Sequence, residues 1–164
     1  MSPAGHEDTD GPAIVARGLT KRFGDLVAVD AIDIRIERGE CFGFLGPNGA
    51  GKTTTMRMLS CLAHRDAGVL EVMGRDPQDA PRQVKAGLGV VAQDITLDVE
   101  LTVRENLQVY ARYFDIDRRV AAERIEDLLD FVQLRERADS AVLTLSGGMQ
   151  RRVQIARALI NDPR

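Results

Sequence analysis

A chain of 164 residues with 44% apolar and 29% charged side chains has the size and make-up of one globular domain, long enough to bury about two thirds of its unfolded surface and unlike a disordered or membrane composition. The net charge of −3 argues against a nucleic-acid binder, and Arg151, Arg152 and Arg157 read as a local cluster only. No run approaches the roughly 18 apolar residues of a membrane helix, and the polar, partly acidic start does not read as a signal sequence.

Cys41 and Cys61 lie far apart with no second Cys or His at ligand spacing, so no zinc site is expected; they read as thiols of a reducing cytoplasm. His6 and His64 are isolated and carry no expected chemistry.

Residues 1–12, rich in Gly, Pro, Asp and Glu without an apolar period, are expected to be a disordered tail. Residues 13–17 and 31–36 then read as short antiparallel strands, the second alternating Ile32, Ile34 and Ile36 with Asp33, Arg35 and Glu37. After the turn Arg38-Gly39-Glu40, residues 41–45 are apolar on both faces, the pattern of a central strand. A helix is expected over 52–62, with Met56 and Leu59 on one face. Residues 68–73 read as a strand, a turn follows near Pro77, and 87–92 read as another core strand ending at Gln93.

Thr102 with Glu105 forms a capping box before a helix carrying Val103, Leu107, Tyr110 and Phe114. The next helix shows Ile125, Leu128, Leu129 and Val132 on one face. The last shows Met149, Val153, Ala156 and Ile160, and ends in the turn Asn161-Asp162-Pro163-Arg164.

The most informative stretch is Gly46-Pro47-Asn48-Gly49-Ala50-Gly51-Lys52-Thr53, between the strand and the helix. Consecutive backbone N–H groups can wrap phosphates only where side chains do not intrude, and Gly46, Gly49 and Gly51 give the needed torsions. The following helix aims its positive end, about half an elementary charge, at the same anions. Lys52 adds a full charge near the β and γ groups; Thr53 is placed to ligate a magnesium ion bridging them, and Thr54 to donate toward the α-phosphate side. The chain is therefore expected to bind a nucleotide. Guanine specificity is unsupported, because none of Asn48, Asn106 or Asn161 is followed by Lys.

Leu145-Ser146-Gly147-Gly148-Met149-Gln150, set beside that loop, resembles the Leu-Ser-Gly-Gly-Gln signature of the ABC ATPases. The resemblance covers residues 13–164. It implies an α/β P-loop NTPase with an antiparallel β subdomain and an α-helical subdomain over about 94–145, binding ATP and Mg2+. Phe23, in Lys21-Arg22-Phe23-Gly24, matches the aromatic that stacks on adenine. Gln93 matches the residue that touches magnesium and the attacking water, and residues 94–100 match the segment that meets a cytoplasmic helix of a polytopic membrane permease. Ser146, Gly147 and Gly148 are implied to act in trans, capping the γ-phosphate held by a second ABC ATPase domain in a head-to-tail dimer. Met149 stands where the family usually has Gln, a tolerable change because backbone N–H groups and Ser146 make the contact.

The run 101–106 and the phrase Arg112-Tyr113-Phe114 look most like bacterial exporters of the daunorubicin-resistance and nodulation-factor type. The implied function is an ATP-hydrolysing subunit, peripheral on the cytoplasmic face of the membrane, coupled to export. ABC ATPases of DNA repair or ribosome work usually bring a zinc module, a coiled-coil insertion or a second cassette, and none is visible here. In the family an apolar strand ending Asp-Glu, another strand and a switch histidine follow the position of Arg164. The sequence as it stands is thus expected to have an incomplete core sheet, with a gap between strands 41–46 and 87–92, and to hydrolyse ATP weakly, since loss of a general base costs about 100- to 10,000-fold in rate.

Overall fold

The computed structural model describes residues 11–163, so all of the expected tail except residues 11 and 12 lies outside the described residues. The chain divides at Lys85/Ala86 into two compact units.

In the first unit, strand β1 (Ile14–Phe23) lies between β2 (Leu26–Ile36) and β3 (Ala67–Val72) in one antiparallel sheet of order β2-β1-β3. Ala16 faces Ile34 on one side and Leu70 on the other. Ala16, Leu19, Ile36, Leu70 and Val72 are buried with Met58 and Leu59 of helix α1 (Lys52–Leu59) and Val84 of the short helix α2 (Pro81–Ala86). Both early strands run longer than the alternation suggested, because β1 and β2 form a hairpin whose ladder continues to the pair Phe23 and Leu26. Helix α1 stops at Leu59 rather than at residue 62: Ser60 turns off the helix and Cys61 has a left-handed φ of 57°.

The second unit is helical. Helices α3 (Val103–Tyr113), α4 (Arg118–Phe131) and α5 (Gly147–Leu159) bury Leu107, Ile125, Leu129, Val153 and Ala156 in one core, joined by Leu134 and Val142 from the turns between α4 and α5. Full burial of the Leu, Ile and Val side chains among these contributes about 1.5–3 kcal/mol each. The expected capping box is present: the Glu105 N–H donates to Thr102 Oγ1 at 3.1 Å, and the Thr102 N–H donates to Glu105 Oε2 at 2.8 Å. No helix among the described residues is long and apolar enough to cross a membrane.

Two expected core strands, residues 41–45 and 87–92, are not strands in the structure. Their apolar, two-faced pattern suits a strand paired on both edges, and among the described residues neither segment is in a ladder. Leu45 is accordingly 95% exposed. The incomplete core sheet is thus observed, and Gln93 lies in a bend instead of at a strand end.

Candidate nucleotide-binding site

The loop before α1 has the torsions its glycines permit: Gly46, Gly49 and Gly51 have φ of 151°, 86° and 81°. Gly51 is also pressed against β2, since a Cβ there would lie 2.4 Å from the Ala28 carbonyl oxygen. The loop is exposed, tightened by the Ala50 N–H donating to Pro47 O at 3.3 Å. The ammonium of Lys52 folds back over it and donates to the carbonyls of Gly46 and Pro47, each at 2.7 Å.

Helix α1 starts differently from its neighbours. Thr102, Asp117 and Ser146 cap α3, α4 and α5 with side-chain oxygens, whereas Gly51 opens α1 with no side-chain cap. A helix start left open in this way, beside an ammonium and bare backbone, favours an anion. Thr53 in the first turn is exposed and Thr54 half-buried; Thr55 is buried, its hydroxyl donating to Gly51 O at 3.0 Å.

Phe23, at the end of β1 in the same unit, is 54% exposed and so is not a core aromatic. Lys21 Nζ sits 5.3 Å from its ring centroid while pairing with Asp66 at 3.0 Å. The Arg22 N–H and the Lys21 ammonium together hold the Asp66 carboxyl below its ordinary value.

Gln93, Ser146, Gly147 and Gly148 belong to the second unit. Gln93 is exposed. Ser146 Oγ accepts from the Met149 N–H at 3.3 Å, an ordinary N-cap. Gly147 and Gly148 have no left-handed torsion, and a Cβ at either would meet nothing within 4 Å. Nothing among the described residues requires glycine there. Met149 leans on the helical core, so the departure at this position serves packing. Gln150 secures the turn ahead of α5, donating to Val142 O at 3.1 Å and Leu145 O at 3.3 Å.

Sequence reasoning missed the row Arg151, Gln154 and Arg157. These residues of α5 donate to the carbonyls of Ala92, Asp94 and Thr96. The two arginines had read as part of a charge cluster; the signal available was their three-residue spacing with Gln154, which puts all three on one helix face.

No group of three or more His, Cys, Asp or Glu among the described residues could hold a metal. A magnesium ion here would depend on phosphate oxygens with few protein ligands, its usual habit, and the exposed Thr53 hydroxyl suits that donor set.

Residues 29–164 match the family described as ABC transporter. The chain is 45% identical over 152 residues to the Nod factor export ATP-binding protein I of Ralstonia nicotianae, covering 93% of this chain and 47% of that protein. It is 50% identical over 148 residues to the protein of the same name from Cupriavidus metallidurans, covering 90% and 48%. It thus spans about half the length of these curated relatives. Among solved structures, an ATP binding subunit of an ABC transporter superposes with a TM-score of 0.82 at 24% identity, over 92% of this chain and 63% of that one. The Clostridium perfringens protein cbiO1, part of the ABC transporter complex cbiONQ, gives 0.84 at 22%, over 94% and 63%. These two likenesses speak for the fold, and the long match of motif-bearing sequence speaks for kinship: the chain belongs to the ABC transporter family.

Proposed function

We propose that the chain carries the ATP-binding machinery of an ABC exporter subunit, which couples ATP binding and hydrolysis to export through a polytopic membrane partner. The observation that carries this reading is the open N-terminus of α1 beneath the glycine loop, with the Lys52 ammonium held above it. The α1 start and the loop N–H groups receive the phosphates. Lys52 exchanges its bonds to Gly46 O and Pro47 O for phosphate oxygens, and Gly46 through Thr54 line the cradle. Phe23 offers an exposed ring for adenine. Thr53 would hold magnesium, which when bound offsets the charge of the β and γ phosphates. The role of Gln93 toward magnesium and the attacking water rests on the family resemblance.

The bare surface at Gly147 and Gly148 supports a close approach from outside the chain, as the head-to-tail dimer requires. Exposed Ile95 and Val99, in the segment after Gln93, support a docking contact for the membrane partner. Such a subunit sits on the cytoplasmic face without spanning the membrane. The name shared by the Ralstonia and Cupriavidus relatives favours export.

Calorimetric titration of the purified chain with ATP, with and without magnesium, tests the binding reading. Binding strengthened by magnesium and weakened about 10- to 100-fold in Lys52→Ala is expected; no binding by the parent under either condition would refute it. Co-purification of the subunit with a polytopic protein from the same operon tests the exporter assignment.

A further inference from the structure

The buried polar residue Gln154 has no part in the site described above. It is 1% exposed, in the middle of α5. Its amide Nε2 donates to the Asp94 carbonyl at 2.7 Å, and its Oε1 accepts from Arg151 Nη1 at 3.1 Å. The Arg151 guanidinium also donates to the Ala92 carbonyl, just before Gln93. One helical turn beyond Gln154, Arg157 donates to the Thr96 carbonyl at 2.7 Å and to the Thr96 hydroxyl, while its guanidinium lies 4.8 Å from the Tyr110 ring centroid on α3.

Alternate carbonyls of residues 92–96 are therefore held by every third residue of α5. The segment has no ladder partner among the described residues, and this row of donors takes a ladder's place for its carbonyls. Gln93 lies between two of the anchored carbonyls, with its own side chain exposed.

We infer that Arg151, Gln154 and Arg157 are positioning residues that fix the backbone on both sides of Gln93 to α5, so that Gln93 is carried by the helix whose N-terminus is the Ser146-Gly147-Gly148 turn. The inference rests on the magnesium role proposed for Gln93. It goes beyond that role in naming what sets its place, and it makes residues 92–96 and the signature turn parts of one body. Removing the donors frees the segment without touching any group that meets nucleotide.

Two measurements test this. In the first, a spin label is attached at Gln93→Cys in a Cys41→Ser, Cys61→Ser background. The label should become mobile on adding Gln154→Leu, which keeps the side-chain volume, or Arg151→Met, which changes an exposed position and spares the core. Unchanged mobility in both would overturn the inference whether or not the chain binds nucleotide. In the second, ATP affinity is titrated with and without magnesium. Gln154→Leu and Arg151→Met should each reduce the magnesium enhancement about 10-fold or more, as losses of outer supporting groups do, while leaving magnesium-free affinity unchanged. Added to Gln93→Ala they should have no further effect. Parallel loss of both affinities would show a merely structural role. Absence of ATP binding by the unaltered chain would refute the function reading instead, and the label mobility would still decide this one.

Discussion

The Cβ that Gly51 lacks would lie 2.4 Å from the Ala28 carbonyl oxygen, so the phosphate-type loop is seated directly on strand β2. Two costs meet in Gly51→Ala: a φ of 81° that L-residues avoid, at about 1–2 kcal/mol, and a backbone contact that must yield. At Gly49, φ is 86° but a Cβ meets nothing within 4 Å, so only the torsional cost applies. Urea denaturation should show Gly51→Ala to be the more destabilised of the two, and ATP titration should show it to lose binding. Equal stability of the two variants would contradict the seating of the loop on β2.

Gly147 and Gly148 present the opposite case. Ordinary torsions and open surroundings mean that Gly147→Ala should fold as well as the parent, within about 0.5 kcal/mol for an exposed site. The methyl group then interferes only with something arriving from outside. Sedimentation in ATP should show loss of nucleotide-dependent self-association with an unchanged melting curve. An altered melting curve with association intact would place the role of this glycine inside the chain.

The helices were legible in the sequence because their signals are local. The Thr102 and Glu105 pair and the spacing of Leu107, Ile125, Leu129 and Val153 fix caps and buried faces within a few turns. The phosphate loop was legible for the same reason, its three glycines marking torsions that the structure shows. Residues 41–45 and 87–92 were misread because strand formation depends on partners distant in sequence, and an apolar run says nothing about whether they are at hand. Gln154 was missed on similar grounds: its partner is the carbonyl of Asp94, a group every residue carries and no residue type announces.

Asp76 and Arg65 form a two-pronged pair at 2.8 and 2.6 Å that ties the turn after β3 to the approach to β3, with both side chains mostly sheltered. The Arg65 guanidinium holds the Asp76 carboxyl below its ordinary value, helped by the Gln78 N–H. A carboxylate lowered in the folded state takes up protons more readily when unfolded, so its contribution is complete above the unfolded pKa of about 3.9 and is lost as pH falls through the folded value. Stability should therefore decline with acid below about pH 4, and Asp76→Asn should flatten that part of the profile while lowering neutral-pH stability by about 1–3 kcal/mol. Chemical denaturation at a series of pH values measures both, and an unchanged acid slope in the variant would exclude Asp76 as its source.

Lys52 has two carbonyl partners on an exposed loop, so its ammonium is poorly placed to stabilise the fold and well placed to meet an incoming anion. Lys52→Ala should leave denaturation within about 0.5 kcal/mol of the parent. It should weaken ATP binding about 10- to 100-fold, the loss of one charge-assisted hydrogen bond worth about 1.5–3 kcal/mol. Lys52→Arg should not restore it, because a bulky planar fork cannot take the place of a compact ammonium against phosphate oxygens held by a close-fitting loop. Salt separates the charge from the shape: raising ionic strength should weaken the parent more than the Ala variant, since added ions screen the attraction that the variant has already lost. Full binding by Lys52→Ala at low salt would mean that the loop amides and the start of α1 hold the phosphates without the lysine.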